Sequence, residues 1–428
     1  MSMSNTPGLA RKLGTFDAVV IGLGSMIGAG VFAAFTPAAQ AAGSGLLIAL
    51  LVAAFVAYCN ATSSAQLAAA YPTSGGTYIY GRERLGPWSG FLAGWGFVVG
   101  KVASAAAMAM TFAAYAAPAG WERPVAVAAV VLLVAVNYRG VTRTAALARI
   151  IVVAVLAALA IAVAAAWAGS PGTGGSTFLG DGLLSHGWYG ILQSAGLLFF
   201  AFAGYARIAT LGEEVRAPRR TIPRAILLAL GIAAVIYAAI GVSLLAILGP
   251  DGVAATASPL ADAVAAGGWN WAAPLVRVGA ALASLGALLA LVAGLGRTSL
   301  AMAREGDLPR YFAAVHPRFQ VPHRAELALG AVICMIVVFA DLRGAIGFSS
   351  FGVLVYYLVA NVAAFTQSGA DRRYPKFLQV LGAAACVALV ATLPLSSVLA
   401  GLVMFALGIG YRLLRLRIPG APTPLDVN

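Results

Sequence analysis

The chain has 428 residues, of which 61% are hydrophobic and 10% charged, with a mean hydropathy of +0.92 and a formal net charge of +13. A soluble domain carries about 25% charged residues, so this composition excludes a soluble enzyme or binding module and indicates a polytopic membrane protein. The basic excess does not signal a nucleic-acid partner, because the positive residues sort by side of a membrane instead of clustering on one domain.

The polar stretch 1–14 contains Arg11 and Lys12 and reads as a short cytoplasmic tail, not a removable signal peptide. Twelve apolar stretches of membrane-crossing length follow, near 16–37, 45–69, 89–117, 124–138, 148–168, 190–212, 225–248, 272–296, 326–341, 345–367, 377–394 and 396–412. The fourth and ninth are the shortest. Placing the amino terminus inside leaves only Arg123 and Arg343, of the 27 Lys and Arg residues, in outer segments, with Lys101, Arg207 and Arg277 inside spans. The segments 168–189 and 249–271 hold Asp181, Asp251 and Asp262 but no Lys or Arg, as expected outside. Both termini are therefore expected in the cytoplasm of a bacterial-type inner membrane. The proline-rich 418–428 forms the second tail.

Span 1 contains Gly22, Gly24, Gly28 and Gly30. Each glycine weakens a helix interior by about 1 kcal/mol relative to alanine, so this span is expected to break at mid-membrane. Broken backbone at that depth is tolerated where it lines a cavity or is buried in protein. Span 6, Gly190 to Arg207, is also interrupted by glycine and enters from the opposite side. Paired breaks in oppositely oriented halves point to an inverted-repeat transporter. The repeats are 15–180 (spans 1–5) and 181–370 (spans 6–10), with peripheral spans 11 and 12 in 371–417. A plainer reading of Gly24-x-x-x-Gly28 is close helix packing alone.

Lys101 lies about 20 Å along span 3 from Trp88, at ~1.5 Å per residue, too deep for easy snorkelling. A charge at that depth is costly and marks a functional candidate. It either receives an acidic or strongly polar substrate group, or exchanges a proton during a cycle, or hydrogen-bonds carbonyls at a broken helix and fixes geometry. Arg207, Arg277 and Asp17 read as structural, Asp17 as a cap on span 1. Cys59, Cys334 and Cys386 read as small core residues, with no disulfide framework, metal site or cofactor motif. His186, His316 and His323 fall in loops and leave no buried acid–base pair for an enzyme.

Gly24-Ser-Met-Ile-Gly-Ala-Gly-Val-Phe32 resembles the first-helix signature of the amino acid–polyamine–organocation superfamily. Tyr71-Pro-Thr-Ser-Gly-Gly-Thr-Tyr78 is similar to its helix 2–3 loop. Phe199-Phe-Ala-Phe-Ala-Gly-Tyr205 with Glu213–Arg224, and Ala301–Pro309, resemble its sixth helix with the loop that follows and the loop after helix 8. The resemblance runs from about 14 to 325; spans 9–12 match by hydropathy alone. It implies an all-α, twelve-span, leucine-transporter-like 5+5 inverted repeat with discontinuous helices 1 and 6, moving amino acids or related amines.

The same resemblance assigns a substrate carboxylate to Gly28, Ala29 and Gly30, and the ammonium to carbonyls of Met26, Phe200 and Ala203. Family members often carry a hydroxyl where Ala29 stands. Phe200 falls at a gating aromatic, and Tyr205 is a second gate or core. Lys101 aligns with the side-chain pocket. Proton-coupled relatives carry a span 5 lysine near the position of Val155, where this chain has none. A sodium site would draw on Gly24, Ile27 and Ser284. Proton coupling, sodium coupling, exchange or facilitated transport, and a non-transporting receptor on the same fold all remain open. A six-plus-six facilitator is disfavoured by the short connection between spans 6 and 7.

Overall fold

The computed structural model describes residues 13–28, 30–73, 75–140, 145–168 and 181–417. The two tails beyond these limits, the stretch 169–180 and Ala29 lie outside the described residues. Every α-helix belongs to one all-helical body. In chain order these are α1 (Thr15–Met26), α2 (Gly30–Ala33), α3 (Phe35–Ala42), α4 (Leu46–Ala70), α5 (Thr77–Leu85), α6 (Pro87–Ala116), α7 (Glu122–Tyr138), α8 (Ala145–Ala168) and α9 (Gly187–Phe202). They continue as α10 (Ala206–Ala209), α11 (Pro218–Ala255), α12 (Pro259–Ala266), α13 (Ala273–Arg304), α14 (His323–Phe339), α15 (Leu342–Phe365), α16 (Lys376–Thr392) and α17 (Leu395–Leu416).

Helix occupies the stretches expected to span. Among the described residues nine helical stretches are long and apolar enough to cross a membrane. The helices α7, α14 and α16 are each 17 residues long. The short helices α5 and α12 were not expected. Gly249, at φ +69°, kinks α11 where the apolar text of the seventh span ends.

Close packing follows small residues. A Cβ on Gly352 of α15 would lie 2.5 Å from the carbonyl oxygen of Gly96 and 2.9 Å from the Cα of Gly100, so α6 and α15 cross backbone to backbone. The Ser104 and Ser349 hydroxyls meet across this crossing at 2.6 Å. Buried apolar side chains form two cores. One surrounds α1, α4, α9 and α11. The second is built on α6, α7, α13 and α14.

At one end of the molecule the loop after α13 is fastened by buried charge. Asp307 pairs with Arg412 at 2.5 Å and accepts the Tyr78 hydroxyl at 2.8 Å. Arg82 reaches Asp307 at 3.5 Å and Glu305 at 3.2 Å. Burial and the adjacent carboxylate push the Tyr78 phenol up, so it remains a donor. At the same end, Asp17 accepts the Gly14 N–H at 3.0 Å, as a helix cap does, and pairs with Arg149 of α8.

Candidate functional site

The helical ladder of α1 runs out where Ile27 N–H donates to the Leu23 carbonyl at 2.8 Å, and helix resumes at Gly30. Carbonyls past Leu23 lose their i+4 donors at such an end. The glycines here serve approach. A Cβ on Gly28 would stand 2.6 Å from the Ala287 Cβ and 3.6 Å from the Ala283 carbonyl oxygen, both on α13. One on Gly30 would stand 2.6 Å from the Ala201 Cα of α9.

The sixth span is interrupted differently. After Phe202 the chain tightens into a 3₁₀ turn, Ala203–Tyr205, and then makes the single turn α10. Its dihedrals stay right-handed, with Ala203 at φ −62° and ψ −5°. A change of helix type, rather than an unwound gap, occupies the place of the expected second break. The reason lies at Gly204, where a Cβ would fall 2.4 Å from the Ser25 carbonyl oxygen and 2.6 Å from the Met26 nitrogen. The turn is seated directly on the end of α1. The two interruptions therefore meet at Gly204 against Ser25–Met26 and at Gly30 against Ala201.

Tyrosines serve the carbonyls at this crossing. The Tyr237 hydroxyl, from α11, lies 2.7 Å from the Met26 carbonyl oxygen and 3.0 Å from that of Ala201. Its one proton is shared between two acceptors. The Tyr357 hydroxyl, from α15, donates to the Ala203 carbonyl at 3.4 Å. Two of the three carbonyls expected to take an ammonium thus already hold a phenolic donor. Phe202 stands edge-on to Tyr237 at 4.9 Å, and the Tyr205 ring lies 5.1 Å from Tyr357. Reading the sequence missed Tyr237 and Tyr357. The available signal was a tyrosine in the middle of an apolar span, whose hydroxyl needs a partner.

The structure gathers Met26, Gly28, Gly30, Phe200 and Ala203 on the two interrupted segments, all buried; Ala29 lies outside the described residues. Tyr205 is fully buried on the 3₁₀ turn. Ser284 is buried on α13, beside the Ala283–Ala287 turn that meets Gly28, and its hydroxyl has no partner among the described residues. Gly24 faces Val152 of α8, where an added Cβ would come within 3.0 Å. Lys101 is 8% exposed on α6 and has no hydrogen-bond or ion-pair partner among the described residues. It is outside the network that joins the crossing. Arg277 reaches Asp262 at 3.9 Å and the Tyr115 carbonyl at 3.4 Å, and Arg207 reaches Thr210 at 3.4 Å. These are structural contacts.

Comparison with known proteins gives the family. A family model described as amino acid permease matches residues 13–412. An uncharacterized transporter of Mycobacterium tuberculosis is 59% identical over 94% of this chain and 90% of its own length. The branched-chain amino acid permease BcaP of Bacillus subtilis is 26% identical over 84% of this chain and 81% of its own. The human cationic amino acid transporter 4 is 28% identical over 82% of this chain and 58% of its own. The chain belongs to the amino acid permease family of the amino acid–polyamine–organocation superfamily, and it is a multi-pass membrane transporter, not an enzyme.

Proposed function

We propose that the protein carries amino acids or related amines across the plasma membrane by alternating access, on a twelve-span, 5+5 inverted-repeat fold with both termini inside. The observation that carries this reading is the crossing of α1–α2 with α9–α10. There Gly204 and Gly30 bring peptide backbones together, and carbonyls are served by tyrosine hydroxyls from two other helices. A zwitterion needs donors for its carboxylate and acceptors for its ammonium, and interrupted helices supply both at mid-membrane. In this reading the peptide groups at Gly28, Ala29 and Gly30 take the carboxylate. The carbonyls of Met26, Phe200 and Ala203 take the ammonium, in exchange for the tyrosine hydroxyls where these occupy them.

In this reading one bundle rocks against a scaffold and exposes the site to each side in turn. Phe200 and Tyr205 are gate candidates. Lys101 on α6 has no ion-pair partner among the described residues, which disfavours a cationic side chain, so neutral and acidic amino acids are the favoured substrates. Coupling runs through a proton at Lys101 or through sodium near Gly24, Ile27 and Ser284. Exchange without ion coupling is the alternative. A ligand held equally in both states would shift neither.

The test is a thermal-shift screen of the purified protein against amino acids and polyamines, followed by counterflow of the labelled hit in proteoliposomes. Stabilisation by an amino acid and trans-stimulated uptake are expected. Binding without counterflow would make the protein a receptor. No stabilisation by any amino acid or amine would overturn the substrate class.

A further inference from the structure

Away from the crossing, a cavity of about 880 Å³ runs between α6, α14, α15 and α17. Its walls are apolar, formed by Val98, Val102, Leu329, Val332, Ala400 and Leu407. It extends along α17 from Ser396 to Tyr411, about 22 Å at ~1.5 Å per residue. Its length and apolar walls suit extended hydrocarbon chains.

The two ends differ in chemistry. At the end bounded by Ser396 and Asp341, polar groups are satisfied locally: Asp341 accepts the Gly344 N–H at 3.1 Å and Ser397 donates to the Gly344 carbonyl at 3.4 Å. At the other end the wall includes Ser299, 3% exposed, whose hydroxyl has no partner among the described residues. Beyond it stand Arg310, between the lining residues Pro309 and Phe312, and Arg324, next to the lining Ala325 and 4.6 Å over the Tyr311 ring. Arg415 lies one turn past Tyr411 and packs its guanidinium over Gly306. Of the nearby carboxylates, Asp307 is engaged by Arg412 and Arg82 and Glu305 by Arg82, while Glu326, buried on α14 against Gly296, forms no ion pair among the described residues. Among the described residues these three arginines have no acidic partner.

We propose that this channel is a binding site for one anionic phospholipid. The acyl chains lie along α17, the glycerol–ester region sits at Ser299, and the phosphate is held by Arg310, Arg324 and Arg415. The order cation, hydroxyl, hydrocarbon along the channel matches the order of groups in that molecule, and a basic cluster at a membrane surface selects anionic headgroups.

Native mass spectrometry of the full chain in detergent, with equimolar phosphatidylglycerol and phosphatidylcholine, tests this. Retention of phosphatidylglycerol over phosphatidylcholine is expected, its preference falling about fivefold for each arginine removed in Arg310→Gln and Arg415→Gln. Ala400→Trp, which fills the channel, is expected to abolish retention of both lipids. If that variant fails to fold, Leu407→Phe gives the same reading by partial filling. Equal retention of the two lipids by the unaltered chain would overturn the proposal, as would phosphatidylglycerol adducts indifferent to the arginine substitutions. Association of two chains that depends on the channel residues would assign it to a second copy and overturn it as well. None of these readings depends on whether, or what, the protein transports.

Discussion

The Tyr237 hydroxyl lies 2.7 Å from the carbonyl oxygen of Met26, the last residue of the first helix before it breaks. The same hydroxyl stands 3.0 Å from the Ala201 carbonyl oxygen on the sixth span. One side chain of α11 therefore ties the two interrupted segments to each other. Replacing it by Tyr237→Phe keeps the ring against Phe202 and leaves two buried carbonyls without that donor. A loss of about 1–3 kcal/mol is expected, read as a lower unfolding midpoint, together with a changed ligand-induced thermal shift. An unaltered midpoint and unaltered uptake would remove the hydroxyl from both roles.

Backbone contact at Gly204 makes a sharper prediction. A methyl group there would sit 2.4–2.6 Å from the Ser25 and Met26 backbone, which no rotamer change relieves. Gly204→Ala is expected to abolish transport and lower stability, and Gly30→Val to abolish substrate binding by crowding Ala201. Gly231→Ala is the matched control. Nothing lies within 4 Å of its added Cβ, so it is expected to be neutral or stabilising by up to ~1 kcal/mol. Equal behaviour of Gly204→Ala and Gly231→Ala in flux assays would refute the close crossing.

Much of this arrangement was legible as text because glycine and hydropathy carry it. Gly30 and Gly204 each mark a place where two backbones touch and Gly28 one where the Ala287 methyl closes in, and a missing side chain is visible in sequence. The break after Met26 followed from the same residues. The quoted segments Tyr71–Tyr78 and Ala301–Pro309 prove to be physically joined, since Tyr78 donates to Asp307. What was not legible depends on through-space partners. Tyr237 and Tyr357 look like ordinary core aromatics until the carbonyls opposite them are known. The 3₁₀ turn at Ala203–Tyr205 reflects how Gly204 is seated on α1, a tertiary contact that local propensity does not encode.

Lys101 carries its charge into α6 with 8% of its surface exposed and no partner among the described residues. Holding a lone ammonium there costs stability, about 2.5–3.5 kcal/mol on the membrane-insertion scale. Lys101→Met keeps the length and removes the charge. Its unfolding midpoint is expected to rise while substrate choice or the pH profile of uptake changes, the signature of a residue kept for function at the expense of stability. Wild-type uptake across an amino acid panel and across pH would take Lys101 out of the mechanism, whatever happened to the midpoint.

The buried carboxylate of Asp307 holds α5, α17 and the loop after α13 together through Arg412, Arg82 and Tyr78. Removing one member of such a set leaves an uncompensated charge, whereas removing both members of a pair does not. Asp307→Asn is therefore expected to destabilise by about 3–5 kcal/mol, and Tyr78→Phe by about 1 kcal/mol. The double variant Asp307→Asn with Arg412→Met is expected to recover most of the first loss, because the stranded guanidinium is gone and Met still packs against the Trp88 and Phe91 rings that Arg412 covers. Unfolding midpoints of the three variants settle the matter. A double variant no more stable than Asp307→Asn would mean that Arg412 is held by its ring contacts and not by Asp307, and that the loop is secured by packing rather than by charge.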